Sequence, residues 1–142
     1  METVWVLGDQ LNRSLGALGV ATPADHRVLV VESTTLLRSK RWHRQRAHLV
    51  VAGMRRFVAE LRAEGFDVDH RRAAGLEAGF EAHVAEHRPA RVSATTPTSF
   101  DGRALLGRLG VELAPTGQFL TDPDDFAAWA GQRGRVTMED FY

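Results

Sequence analysis

The stretch Val4-Trp5-Val6-Leu7-Gly8-Asp9-Gln10-Leu11 decides the fold, together with the similar stretch Val28-Leu29-Val30-Val31-Glu32-Ser33. Each begins as a short run that is apolar on both faces and ends abruptly in polar residues, which is the pattern of a buried parallel strand. Ligands of open α/β sheets bind outside the carboxyl ends of the strands. We therefore expect the polar ends of both strands to border one crevice.

The rest of the chain alternates between predicted strands and predicted helices. Helices are expected over residues 41–64, where apolar residues recur at helical spacing, and over residues 77–87, with Phe80 and Val84 facing inward. Two more helices are expected, one over residues 100–108 and one that begins at Pro123 and continues through Phe126 and Trp129. Phe126 and Trp129 are interpreted as core residues. The five predicted strands cover residues 3–7, 27–31, 66–70 (an edge strand), 91–95 and 111–114.

This order predicts an α/β protein with a Rossmann-like, open, parallel five-stranded sheet that carries helices on both faces. We expect residues 1–136 to form this domain. Residues 137–142 resemble a helix start, with Thr137 as N-cap and acidic residues in the first turn. They predict a truncated helix that leads to a further domain absent from this sequence.

Composition narrows the class of protein. The 142 residues are 44% hydrophobic, contain no cysteine and have a formal net charge of zero. A disulfide scaffold and a cysteine-ligated cluster within this chain are therefore excluded. No signal peptide and no membrane-spanning run are recognised, and we expect a cytoplasmic protein. Charge is uneven, since residues 13–72 carry 12 Arg/Lys against 6 Asp/Glu, whereas residues 112–142 carry 2 against 6.

The polar strand ends supply the candidate binding residues. Gly8 would let the backbone approach a ligand, while Asp9 and Gln10 offer polar groups. The alternative for Asp9 is that it caps the following turn. Glu32 and Ser33 would suit ribityl or ribose hydroxyls. Their alternatives are a helix cap or a salt bridge to the basic run that follows, at residues 38–46.

This basic run combines five cationic side chains with Trp42 and His43. It is suited to a phosphate, a planar ring or nucleic acid, but it is equally typical of the solvated first turns of a helix or of a contact with another domain.

Other patterns give no catalytic assignment. No GxGxxG, Walker A or GxSxG sequence is present, which argues against a standard NAD site, a P-loop NTPase and a serine hydrolase. His83 and His87 stand four residues apart, but without an evident third ligand they are interpreted as an exposed pair and no metal site is predicted. The acidic residues Asp122, Asp124 and Asp125 are interpreted as helix-capping residues.

The order of several motifs resembles the N-terminal domain of the bacterial iron–sulfur cryptochrome/photolyase class, the deoxyribodipyrimidine photolyase-related proteins. The similarity spans the whole chain. It is carried by residues 7–11, Val31-Glu32, His43 with its basic neighbours, residues 54–57 and 60–62, Gly65-Phe66, Thr95-Thr96-Pro97, Phe119-Leu120 and residues 138–142.

The resemblance implies an antenna domain that holds 6,7-dimethyl-8-ribityllumazine and passes excitation to FAD. The FAD, a [4Fe–4S] cluster and the damaged DNA would bind a C-terminal helical domain, and the whole protein would be a photolyase-related lyase or a cryptochrome. The implied site comprises Gly8, Asp9, Gln10, Leu11, Glu32, Ser33, Leu36 and His43.

One departure concerns the segment that follows Glu32. Lumazine-binding relatives carry a glutamate shortly after the acid of the second strand, where this chain has Thr34-Thr35-Leu36-Leu37. An apolar Leu36 would lose that polar contact. Two alternatives to the antenna function therefore stay open, namely a ligand-free α/β domain that docks on the helical domain and a stand-alone nucleotide-binding or regulatory module.

Overall fold

A parallel five-stranded sheet forms the centre of the molecule. The computed structural model describes residues 1–39, 43–119, 121 and 123–140. Strands β1 (Glu2–Val6), β2 (His26–Ser33), β3 (Asp67–Ala73), β4 (Val92–Thr95) and β5 (Glu112–Ala114) are arranged in the order β3-β2-β1-β4-β5. Every neighbouring pair is parallel. The predicted fold class is confirmed, and the predicted edge strand, β3, does lie at an edge.

Six α-helices connect or follow the strands within the described residues. They are α1 (Gly16–Gly19), α2 (Thr34–Arg38), α3 (Arg44–Ala63), α4 (Leu76–His87), α5 (Phe100–Arg108) and α6 (Pro123–Ala130), and a 3-10 turn covers Met138–Asp140. The short helices α1 and α2 were not predicted from the sequence. Neither has the length needed to show a helical period.

The core consists of two layers, one on each face of the sheet. Val4, Val6, Val28 and Val30 pack on one face against Ala17 and Leu18 of α1 and against α3 side chains, namely Met54, Phe57, Val58 and Leu61. The opposite face carries Trp5, Leu7, Leu29 and Val31, which pack against Phe80 of α4 and Leu106 of α5. Because β1 and β2 are covered on both faces, their sequences are apolar at nearly every position.

The second layer contains an aromatic stack at its centre. The ring of Trp5, which is fully buried, stacks on Phe80 with 5.0 Å between centroids and an interplanar angle of 16°. Gly79 makes this approach of α4 possible, because a Cβ at that position would lie 2.5 Å from Val31 Cγ1. The predicted inward orientation of Phe80 and Val84 is confirmed, since both belong to this layer.

The last helix differs from the sequence prediction. Phe126 is 42% exposed and no described residue of α6 is fully buried, so the prediction that Phe126 and Trp129 are core residues is wrong. Their rings instead lie 5.9 Å apart, and the guanidinium of Arg133 lies over Trp129. Aromatic residues at helical spacing show that one face is apolar, but not that another element covers it.

Helix boundaries also moved at two positions. The helix predicted over residues 41–64 begins at Arg44, and of the predicted helix start at residues 137–142 the described residues Met138–Asp140 form a 3-10 turn. Thr137 Oγ1 donates a hydrogen bond of 2.6 Å to Asp140 Oδ2 there. Seven residues that carried predictions lie outside the described part of the chain: Lys40, Arg41, Trp42, Leu120, Asp122, Phe141 and Tyr142.

Candidate functional site

The strand order places a topological switch point between β1 and β4. Strands β2 and β3 extend the sheet to one side of β1, and β4 and β5 extend it to the other. In open α/β sheets the crevice for a ligand forms at this point, outside the carboxyl ends of the strands. Residues that follow β1 and β4 therefore define the candidate site.

Gln10 bridges the two strand ends at the switch point. Its side-chain Nε2 donates to the carbonyl oxygens of Thr95 at 3.1 Å and of Thr96 at 3.2 Å. Because carbonyl oxygens can only accept, these bonds fix which way the amide points. The amide oxygen Oε1 is buried and has no hydrogen-bond partner among the described residues. A buried acceptor without a donor costs free energy, and a bound donor would relieve that cost.

The amino terminus of α1 lies at the same point but is already engaged. The backbone N–H of Ala17 donates to Thr95 Oγ1 at 3.1 Å. Gly16, with φ of +58°, lies so close that a Cβ there would be 2.1 Å from the same oxygen. In dinucleotide-binding folds the corresponding helix end receives a phosphate. Here the threonine hydroxyl occupies that position, which agrees with the missing glycine fingerprint.

The other predicted residues of the first loop have different surroundings. Gly8 is partly buried, and a Cβ would lie 3.0 Å from Met54 Sδ, so glycine lets α3 pack over the loop. Leu11 packs against the core layer on the α3 face. Asp9 is exposed, and its carboxylate forms no hydrogen bond or ion pair within the described residues. Among these residues, the alternative in which Asp9 caps the following turn is therefore not observed.

Glu32 is held in an ion pair at the end of β2. Arg55 Nε and Nη2 donate to its two carboxylate oxygens at 2.8 and 2.9 Å, and His70 Nε2 lies 3.0 Å from Oε1. The side chain is 4% exposed. The Arg55 hydrogen bonds lower the pKa of Glu32 against the opposing effect of burial, with further contributions from the charges of Arg55 and His70. The salt-bridge alternative is thus observed, although Arg55 lies outside the basic run.

Ser33 caps a helix, which is one of the alternatives to ligand binding given above for this residue. Its hydroxyl accepts a hydrogen bond from the backbone N–H of Leu36 at 3.2 Å, which makes it the N-cap of α2. Leu36 itself is 51% exposed. His43 is the exposed N-cap residue of α3, and its side chain makes no capping bond. The structure thus places the predicted residues in the loop after β1, at the end of β2, in α2 and at the N-cap of α3.

A second polar cluster, which the sequence analysis missed, lies under α4. His83 is fully buried, with Nδ1 2.6 Å from Asp69 Oδ2 and Nε2 2.9 Å from Thr3 Oγ1. His87 Nε2 lies 3.2 Å from the same Asp69 oxygen. The prediction of an exposed histidine pair is therefore wrong. Asp69 comes from β3, and the spacing of His83-Val84-Ala85-Glu86-His87 is the signal that could have marked the cluster.

Burial and hydrogen bonding act in opposite directions on the pKa values in this cluster. Burial lowers the pKa of His83, and the hydrogen bond to Asp69 offsets this only in part. Burial raises the pKa of Asp69, but hydrogen bonds from His83 and Arg71 together outweigh it, so the pKa is lowered. At neutral pH His83 is accordingly neutral and Asp69 ionised.

The fold and the polar groups at its switch point together define a Rossmann-like α/β domain with a candidate ligand site at that point. The chain belongs to the deoxyribodipyrimidine photo-lyase-related protein family, whose family model matches residues 4–142. It is also similar to a (6-4) photolyase of Agrobacterium fabrum, with 27% identity over 153 aligned residues. The alignment covers 99% of this chain but 30% of that relative, so the chain spans less than a third of its length.

Membership of this family confirms the resemblance seen in the sequence and indicates a domain of a photolyase-like protein. Among the described residues, no helix has both the length and the apolar character that crossing a bilayer requires.

Proposed function

We propose that this chain is the antenna-chromophore domain of a photolyase-related flavoprotein and that it binds a ribityllumazine such as 6,7-dimethyl-8-ribityllumazine at the switch-point crevice. FAD and a [4Fe–4S] cluster would reside in a C-terminal helical domain of the same protein, which would also bind damaged DNA. Family membership and the position of Gln10 support this proposal. Repair, signalling and the lesion recognised would be properties of that larger protein.

The observation that carries the proposal is the unpartnered Oε1 of Gln10. The pyrimidinedione ring of a lumazine bears an imide N–H, which is a hydrogen-bond donor of the kind that a buried amide oxygen lacks. The amide is held in place by Thr95 and Thr96, so the acceptor would be oriented before the ligand arrives. The exposed carboxylate of Asp9 beside it would accept from ribityl hydroxyl groups.

The remaining predicted residues would shape this crevice rather than bond the ring. Gly8 keeps the loop close to α3, and Leu11 packs against the core. Glu32 already accepts from Arg55 and His70. We therefore expect Glu32 to position the end of β2, while the exposed apolar side chain of Leu36 and the imidazole of His43 lie at the rim.

The role of such a domain would be to absorb light and to transfer excitation. A bound lumazine would supply the near-ultraviolet or blue absorption band. The protein's contribution would be to hold the ring rigidly at a fixed distance and orientation. Acid–base groups are not required for this step.

A titration tests the proposal directly. The protein is mixed with 6,7-dimethyl-8-ribityllumazine, and binding is followed by changes in ligand absorption and fluorescence polarisation. We expect saturable binding at micromolar ligand, and the variant Gln10→Ala should weaken it about tenfold or more, because one hydrogen bond in a buried site is worth about 1.4 kcal/mol. Gln132→Ala, at an exposed position, is the matched control and should bind like the unmodified protein.

Absence of saturation at high micromolar lumazine would contradict the antenna function. The second candidate, a ligand-free domain that docks on the helical domain, is favoured by one observation: Glu32 and Ser33 are both already engaged within the chain. A nucleotide-binding module is disfavoured, because Thr95 occupies the helix terminus where a phosphate would bind.

A further inference from the structure

A compact set of metal-ligating groups lies between β3 and α4, away from the switch point. One ligand atom from each of Asp69, His83 and His87 lies within 4.8 Å of the other two. The Asp69 oxygen is 2.6 Å from His83 Nδ1 and 3.2 Å from His87 Nε2. In a tetrahedral zinc site, bonds of about 2.0–2.1 Å place neighbouring ligand atoms about 3.3 Å apart. Small shifts of these side chains would therefore open a position for an ion.

We propose that Asp69, His83 and His87 form a binding site for a divalent transition-metal ion of the zinc type. Two imidazoles and one carboxylate, with a fourth position left for water, form the ligand set that such ions adopt in three-residue protein sites. The two histidines stand one helical turn apart on α4, so both imidazoles meet the carboxylate that β3 supplies.

The contact between His83 and Thr3 suits this function. Without an ion, Nδ1–H of His83 donates to Asp69, and Nε2 accepts from the Thr3 hydroxyl. When Nδ1 becomes a ligand, the ring proton moves to Nε2, and Thr3 Oγ1 can then accept the hydrogen bond instead. The His83–Thr3 hydrogen bond is thus kept with its direction reversed, and coordination of the ion replaces the hydrogen bond between Nδ1 and Asp69. An oxygen acceptor behind the second ring nitrogen is the usual support of a metal-bound histidine.

The positive charge of Arg71, next to the cluster, is already balanced by carboxylates. Arg71 Nε donates to Asp69 Oδ2 at 2.6 Å, and its Nη2 is held by Glu86 Oε2 at the same distance. Arg71 can thus stay on the carboxylate as an outer partner while Glu86 balances its charge. The other oxygen of Glu86 lies 3.7 Å from His87 Nε2, near the open position. Because His87 is partly exposed and Glu86 is exposed, an ion can enter from the surface.

Cobalt and zinc titrations test the site. The protein is stripped with a chelator and titrated with Co²⁺, whose visible absorption reports four- or five-coordinate binding, and Zn²⁺ is then added in competition. We expect one equivalent of Co²⁺ to bind and Zn²⁺ to displace it. Zinc at about 100 times its dissociation constant should raise the melting temperature by about 5–10 °C.

Variants identify the ligands. His87→Gln, at a partly exposed position, should keep the fold and lose the visible cobalt band together with the thermal shift. His48→Gln, at an exposed position on α3, is the matched control and should retain both. Far-ultraviolet circular dichroism without metal confirms that each variant is folded. No visible band in the unmodified protein, or an equal band in His87→Gln, would overturn the proposal without affecting the antenna function, which uses other residues.

Discussion

Arg55 and Glu32 form a bidentate ion pair that joins the middle of α3 to the end of β2. The two bonds measure 2.8 and 2.9 Å, and they connect residues 23 positions apart in the chain. Arg55 is 58% exposed, whereas Glu32 is 4% exposed. The carboxylate is thus buried beneath the Arg55 side chain, and the pair holds α3 against the end of β2.

Replacing Glu32 by glutamine should destabilise the fold. Glutamine keeps the size of the side chain but lacks the negative charge that Arg55 and His70 contact. Hydrogen bonds to charged groups contribute about 1.5–3 kcal/mol each. We expect the free energy of unfolding, measured in urea at pH 7, to fall by about 1–3 kcal/mol. Glu60→Gln is the control, since its pairing with Arg56 is exposed, and it should change little. An equal effect of both substitutions would contradict the role assigned to Glu32.

The contribution of Glu32 should disappear in acid. Its pKa in the folded protein is lowered by the Arg55 hydrogen bonds below the ordinary value of 4.5. A carboxylate with a lowered folded-state pKa stabilises the fold fully above its unfolded-state pKa, and this stabilisation is lost as the pH falls through the folded-state pKa. The stability difference between the unmodified protein and Glu32→Gln should therefore be constant from pH 7 to about 5.5 and shrink below about 4.5. Urea titrations at each pH measure it, and a difference that grows in acid would contradict the assignment.

Gly79 should not tolerate a methyl group. An added Cβ would lie 2.5 Å from Val31 Cγ1, so α4 would have to move away from β2 and loosen the Trp5–Phe80 stack. We expect Gly79→Ala to lower the free energy of unfolding by about 1–3 kcal/mol. Gly107→Ala is the matched control in α5, because a Cβ there meets nothing within 4 Å. It should stabilise the protein by about 0.5–1 kcal/mol through its higher helix propensity. Melting curves of the two variants should shift in opposite directions, and a shared direction would contradict the close contact.

Gly16 should be required at the switch point for two separable reasons. Its φ of +58° disfavours other residues, and a Cβ would lie 2.1 Å from Thr95 Oγ1. Gly110 has φ of +69° with open space around it, so Gly110→Ala measures the backbone strain alone, about 1 kcal/mol. Gly16→Ala should cost about 1–3 kcal/mol more than that, because the α1–β4 contact must also shift. Equal losses in chemical denaturation would show that Thr95 yields freely.

The sequence by itself determined the sheet and the position of its polar ends. Strands that are covered on both faces must be apolar at nearly every position, and this requirement is visible in the Val4–Leu7 and Val28–Val31 segments. The amphipathic period of α3 and the alternation of β3 are equally local signals. The polar segments that follow these apolar runs, Gly8–Leu11 and Glu32–Ser33, could therefore be recognised from the sequence alone.

Only the tertiary structure decided which polar groups meet. Gln10 donates a hydrogen bond to the carbonyl of Thr95, which is 85 positions away in the chain. Asp69 contacts His83 because α4 packs beside the edge strand β3. These contacts depend on the strand order β3-β2-β1-β4-β5 and on which face each helix covers. Periodicity reports whether a residue faces the interior, but it contains no information about the residue opposite. For that reason Glu32 could be recognised as a strand-end acid, whereas its capture by Arg55 could not.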